Sequence, residues 1–187
     1  MSKTSNAGTK TKVSTSATSH KKSAQEFLIH QKHHDFDALV RTGKDEKAKF
    51  TVQARKEGVE HRIKFYNASS DKAVVFVKKT ALQPVYTVFD GSSKERVTTL
   101  TREWTPFQKQ YSIRLPNPGK LSGDVVRARG DLVNQKYEFL LNGKSIARVV
   151  PDEKGHYRLK VCSSCRVDAN ILLWCCLTID ETVPRGD

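Results

Sequence analysis

Four cysteines stand near the C-terminal end, as Cys162-Ser163-Ser164-Cys165 and Cys175-Cys176. A Cys-x-x-Cys spacing is half of a tetrahedral zinc site or a redox pair, because both sulfurs can reach one ion or each other. Zinc needs a second ligand pair at suitable spacing. Cys175 and Cys176 lie inside an apolar run and read as small core residues. An inert loop is therefore expected at Cys162 and Cys165. His30, His33 and His34, with Asp35 and Asp37, bring imidazole and carboxylate donors together. They fall where a polar turn is expected, with nothing to hold a ligand geometry, so no metal ligands are assigned. Arg185-Gly186-Asp187 matches a cell-adhesion tripeptide and is read as chance. There is no Gly-rich phosphate loop, no G-x-S-x-G elbow and no H-E-x-x-H pair. No catalytic residue, no cofactor and no enzyme activity are expected.

The remaining chemistry is positive charge. The chain holds 33 Lys and Arg against 20 Asp and Glu, a formal net charge of +13. Lys3, Lys10, Lys12, Lys21 and Lys22 all precede the first acid, Glu26, and the later residues still carry an excess of bases. Such a balance favours anionic partners: lipid headgroups, nucleic acid or acidic proteins. Basic residues recur on the expected wet faces: Arg62, Lys64, Lys78, Lys79, Arg102, Lys109, Arg114, Arg127, Arg129, Arg158 and Lys160. One reading is an ordinary charged exterior; the other is an anion-binding patch. Single-stranded nucleic-acid binders set exposed aromatic rings among their bases. Here Tyr137, Phe139 and Tyr157 alternate with charged residues and belong inside, which leaves Trp104, beside Arg102 and Pro106. Nucleic acid is therefore the weaker partner class.

Residues 1–23 are Ser, Thr, Lys, Ala and Gly with little to bury, and read as a disordered basic tail. They show no apolar signal-peptide core. A reducing compartment and free thiols are therefore expected. From residue 24 the pattern has period two. It predicts strands over 24–31, 36–41, 47–54, 60–66, 72–79, 85–90, 95–102, 107–115, 121–129, 135–141, 144–150 and 156–162. Ile63 and Phe65 alternate with Arg62 and Lys64, and Tyr157, Leu159 and Val161 with Arg158 and Lys160, the pattern of half-buried strands. Asn142-Gly143 is a strong hairpin signal because both residues tolerate positive φ.

One segment breaks the pattern. Ala169 to Ile179 is apolar without a polar stripe, preceded by Asp168 as a helix cap. A helix apolar all round is a membrane span or the centre of a core. Eleven residues reach only about 17 Å, well short of a span. A buried helix over about 168–180, closed by Asp180 and Glu181, is expected. Twelve short strands need protected edges, and closure into a barrel supplies that. A barrel this wide has a lumen, and a helix about 10 Å across fills it.

Several segments resemble the tubby C-terminal-like superfamily: Phe27 to Lys32, Pro84 to Gly91, Gly143 to Val149, His156 to Val161, and Asp168 with Ile171 to Glu181. The branch most similar is the LURP-one-related proteins, with phospholipid scramblases as relatives. The resemblance spans residues 24–182. It implies a twelve-stranded closed antiparallel barrel around a C-terminal hydrophobic helix, and work at membranes, since tubby domains bind phosphoinositides. Tubby domains carry a Lys-x-Arg pair on a strand before a segment resembling Tyr86 to Asp90. Aligned on that segment, Lys78 takes the place of the Arg and Phe76 that of the Lys, so half the clamp is missing. Lys79 is basic but falls on the opposite face of a regular strand. The scramblase branch has cysteine clusters and a Pro-rich N-terminus, which residues 1–23 lack.

The expectation is thus a basic tail (1–23), a mainly β tubby-like domain (24–182) and a flexible end (183–187). Its role is that of a non-enzymatic module recruited to anionic, phosphoinositide-type phospholipid surfaces. The candidate anion-binding residues are Arg62, Lys64, Lys78, Lys79 and Arg102. The alternative is a protein-interaction or regulatory factor, nuclear or nucleic-acid-associated, using the same basic surface. The expected location is the cytoplasm, with peripheral membrane or nuclear association.

Overall fold

The structure is a computed structural model. It describes residues 24–31, 38–42, 48–57, 60–67, 72–80, 82–115, 124–152 and 156–183, and only the backbone for 31, 38–42, 48–50, 52–57 and 60–62. The basic tail, His33, His34, Asp35, Asp37 and the terminal Arg-Gly-Asp lie outside these residues.

The fold is mainly β with one C-terminal helix. The strands are β1 (Gln25–Gln31), β2 (Ala38–Thr42), β3 (Ala48–Glu57), β4 (Glu60–Asn67), β5 (Ala73–Lys79) and β6 (Val85–Asp90). They continue as β7 (Arg96–Trp104), β8 (Lys109–Arg114), β9 (Val125–Asp131), β10 (Lys136–Leu141), β11 (Lys144–Pro151) and β12 (His156–Val161). Each pairs antiparallel with the next in the chain, and β1 pairs with both β2 and β12, so the ladder order is that of a barrel. The ladders through β2 and most of β3 are described for the backbone alone. The register shifts within the β2–β3, β4–β5, β6–β7 and β10–β11 ladders. Such bulges sharpen the twist and bend a sheet toward closure.

Period-two alternation sorts the side chains. Ile63 and Phe65, Val75 and Val77, and Tyr157, Leu159 and Val161 are buried. Ring and alkyl volumes also alternate around the barrel: Tyr111 pairs Ala128, Ala128 pairs Phe139, and Phe139 pairs Ala147. Small residues beside large ones leave room for what fills the centre. Asn142 and Gly143 have φ of 51° and 76°, as a two-residue turn between β10 and β11 requires.

The filler is α1 (Ala169–Thr182). Asp168 caps it, its carboxylate accepting from the Asn170 N–H at 2.8 Å. Every residue from Leu172 to Ile179 is buried. The Thr178 hydroxyl survives inside by donating to the Trp174 carbonyl at 2.7 Å, which satisfies its polar group within the helix. The helix does not close at Asp180 and Glu181 as expected. It runs on to Thr182, whose hydroxyl lies 2.9 Å from that of Tyr111. Val183, buried, then ends it with its N–H on the Ile179 carbonyl. The barrel wall supplies the partners that let two acidic residues sit in a last turn.

A second expectation fails at residue 107. The strand predicted over 107–115 begins at Lys109, and Phe107 sits in the β7–β8 turn, almost wholly exposed. Thr105 and Gln108 bond to one another across that turn and exclude Phe107 from the ladder.

Candidate functional site

The outer wall of β3 to β8 carries the candidate bases in rows set by strand register. One row runs Arg55, Arg62, Lys78, Thr87, Thr99, Arg114 across six strands, with four cations and no carboxylate. The next row runs Gln53, Lys64, Phe76, Phe89, Arg96, again without a carboxylate. Arg62, Lys64 and Lys78 are therefore neighbours on one face. Lys78 is exposed and Lys64 half-buried, while the side chain of Arg62 lies outside the described residues.

An aromatic pair sits in the middle of this face. Phe76 and Phe89 stack with ring centroids 5.0 Å apart and planes 10° from parallel. The Lys78 ammonium lies 5.9 Å from one ring and 5.8 Å from the other. The Lys94 ammonium lies 5.1 Å from Phe76 and also donates to the Gly91 carbonyl. Cation–π attraction orders these long side chains without neutralising them, so their charge stays available to an anion. Phe76 thus gathers the ammonium groups of Lys78 and Lys94.

The other side of the barrel contrasts with this one. There the register row runs Arg129, Glu138, Arg148, Lys160, Glu26. Arg148 pairs with Glu138 at 3.1 Å, and Arg158 bridges Glu26 and Asp152 at 3.2 and 3.0 Å. Cations here meet carboxylates of the protein itself. The nearest acid to the cationic face on β7 is Glu103. Hydrogen bonds from Ser112 and Gln110, with the charge of Arg127, hold its pKa below the usual range.

The other two candidates are placed apart from Arg62, Lys64 and Lys78. Lys79 follows Lys78 on β5 and falls on the inward side of the alternation, at the end of the strand. Arg102 sits at the same end of the barrel, where its guanidinium donates to the Thr182 carbonyl at 3.4 Å. A cation at a helix C-terminus opposes the negative end of the helix dipole. Arg102 also lies 4.6 Å from the Trp104 ring, with Lys109 at 5.2 Å. Trp104 is half-buried between these cations rather than open to solvent.

Sequence reasoning missed Phe89, Lys94 and Arg96. Their link to Lys78 exists only in the ladder register, although Pro84 to Gly91 had been singled out for another reason.

Cys162 is exposed and Cys165 buried, and both are free thiols, as are Cys175 and Cys176. His30 lies against His156 with ring nitrogens 3.2 Å apart. Among the described residues no three potential metal ligands cluster, and no helix is long and apolar enough to cross a membrane.

No curated protein matches the chain in sequence. The crystal structure of a protein from Arabidopsis thaliana superposes with a TM-score of 0.61 at 15% identity, over 86% of this chain and 91% of that one. At that identity the likeness concerns the fold alone. The LURP-one-related family model matches residues 25–180, from the first strand to the penultimate turn of the central helix. The chain belongs to the LURP-one-related family.

Proposed function

We propose that this protein is a non-enzymatic binding module that docks on anionic phospholipid surfaces through the outer face of β3 to β8, with phosphoinositide-type headgroups as the preferred ligand. One observation carries the reading: four cations share one register row with no carboxylate, while the opposite wall pairs its cations with Glu26, Glu138 and Asp152. Like charges aligned in one register row repel one another, and an anionic partner relieves that repulsion. Each lysine near a charged bilayer contributes about 1 kcal/mol. The fold by itself would not license this role. Lys78, Lys64 and Arg62 form the proposed contact, with Lys79 and Arg102 at its lower edge. The continuous antiparallel ladder from β3 to β8 supports the reading, because it holds these positions in one register.

Co-sedimentation with neutral, phosphatidylserine and phosphoinositide vesicles over a salt series tests it. Salt-sensitive binding to the anionic vesicles, weakened in the Lys64→Ala, Lys78→Ala double variant, is expected. Binding to oligonucleotides in preference to vesicles would move the same face to the nucleic-acid reading. Binding to neither would leave a protein partner.

A further inference from the structure

Among the described residues only Leu82, Phe107 and Val133 are large, apolar and exposed, at 96%, 98% and 39%. Single exposed apolar residues need no explanation, but their placement here does. Leu82 is in the β5–β6 turn, Phe107 in the β7–β8 turn and Val133 in the β9–β10 turn. Lys79 pairs Tyr86, Val85 pairs Thr101, and Gln110 pairs Arg129. These three turns therefore open at one end of the barrel, on consecutive hairpins, and the helix C-terminus lies at that end.

Cations stand directly behind the tips. Lys78 and Lys79 end β5, four and three residues before Leu82. Lys109 opens β8 two residues after Phe107, and Arg102 holds the Trp104 ring beside it. At this end Glu103 and Asp131 are engaged by the side-chain amides of Gln110 and Asn134, and Asp180 of the helix by that of Gln135.

We infer that this end of the barrel is a membrane-inserting edge, in which Leu82 and Phe107, with Val133 beside them, enter the headgroup–acyl boundary of an anionic bilayer while Lys78, Lys79 and Lys109 contact lipid phosphates. The inference rests on the anionic-membrane reading above and adds an orientation and an apolar contribution to it. A bilayer is the occupant for two reasons. A protein interface buries a contiguous apolar centre, whereas these side chains stand on three separate hairpins with polar residues between them. A fluid surface accepts separate tips, and apolar groups tipped below a basic collar match the layering of acyl chain under phosphate.

The test uses the full chain with vesicles of phosphatidylcholine and phosphatidylserine. Phe107→Trp places a reporter where the present ring contacts nothing buried. Leu82→Ser with Phe107→Ser removes the apolar tips and leaves every cation. Insertion predicts a blue shift of the added tryptophan emission on vesicle addition, quenching by brominated acyl chains, and roughly hundredfold weaker binding of the double serine variant, since each of the two inserted side chains is worth about tenfold. Vesicle binding by the wild type with no shift, no quenching and unchanged affinity of the serine variant overturns the insertion and leaves the surface reading standing. Absence of vesicle binding by the wild type removes both.

Discussion

Gly91 lies so close to Ala73 that a Cβ built on it would sit 1.8 Å from the Ala73 carbonyl oxygen. The Gly91 N–H donates to the next carbonyl, that of Val74, at 2.7 Å. The turn after β6 is thereby stitched onto β5, and this contact sets the register that brings Phe89 over Phe76. Gly91→Ala must push backbone against backbone. Overpacking of this kind costs about 3 kcal/mol. Urea denaturation should show the loss, and vesicle affinity should fall with it if the Phe76–Phe89 platform carries Lys78.

Asp90, in the same turn, accepts from the Ser92 hydroxyl at 2.6 Å and from the N–H groups of Ser93 and Ser92 at 2.8 and 2.9 Å. The Ser92 hydroxyl foremost, then these N–H groups, lower its pKa to about 2. An unfolded aspartate titrates near about 3.9. A pKa lowered by folding contributes stability above the unfolded value, and that stability disappears as pH falls toward about 2. Asp90→Asn should flatten the acid limb of a stability–pH curve between about pH 4 and pH 2, with its stability loss greatest above about pH 4, where the wild-type carboxylate is charged, and vanishing toward about pH 2.

Thiol reactivity should divide the cysteines. Burial pushes the Cys176 thiol up to about 12, and burial with the neighbouring Cys176 pushes Cys175 higher still. Thiolate is the reacting form. With a disulfide reagent at pH 8, exposed Cys162 should react in the native protein, while Cys175 and Cys176 should wait for unfolding. Fast labelling of either would mean that α1 leaves the core.

Trp174 packs its ring 5.1 Å from Phe65 across the helix–wall contact and is 4% exposed. Trp174→Ala should cost about 3–5 kcal/mol by lost burial and the cavity left behind. A thermal melt followed by circular dichroism checks this. A change under about 1 kcal/mol would show that the wall collapses onto a smaller filler.

Charge reversal should separate the two walls. Lys78→Glu acts in the row without carboxylates, and Arg148→Glu in the row where Glu138 already pairs it. The first should lower affinity for phosphatidylserine vesicles by more than about tenfold, since it removes one attraction of about 1 kcal/mol and adds one repulsion. The second should lower it far less. Equal losses would mean that net charge alone, with no particular face, drives binding.

Much of the fold was legible in the order of residues. Period-two alternation from Ile63 to Phe65 and from Tyr157 to Val161 marks strands because successive side chains point to opposite faces. Asn142-Gly143 marks a hairpin because few residue pairs take positive φ together. The run from Ala169 to Ile179 marks a helix that must be hidden, because it has no side that tolerates water. The same alternation gives the candidate bases a face: Arg62, Lys64 and Lys78 adjoin the apolar Ile63, Phe65 and Val77, which assigns them to the outward side of their strands.

Other features needed the tertiary structure. Strand alternation gives a face but not a neighbour, and only the ladder register sets Lys78 beside Arg62 and both opposite the ion-paired wall. Phe107 looks like the first residue of a strand, yet the Thr105–Gln108 turn places it in solvent. Asp180 and Glu181 look like a stop, yet the helix runs on to Thr182, which Tyr111 and Arg102 receive. For Lys78 and for the helix end the deciding partner lies many residues away in the chain, so local propensity is overruled by a tertiary contact, whereas at Phe107 the decision falls to a local turn.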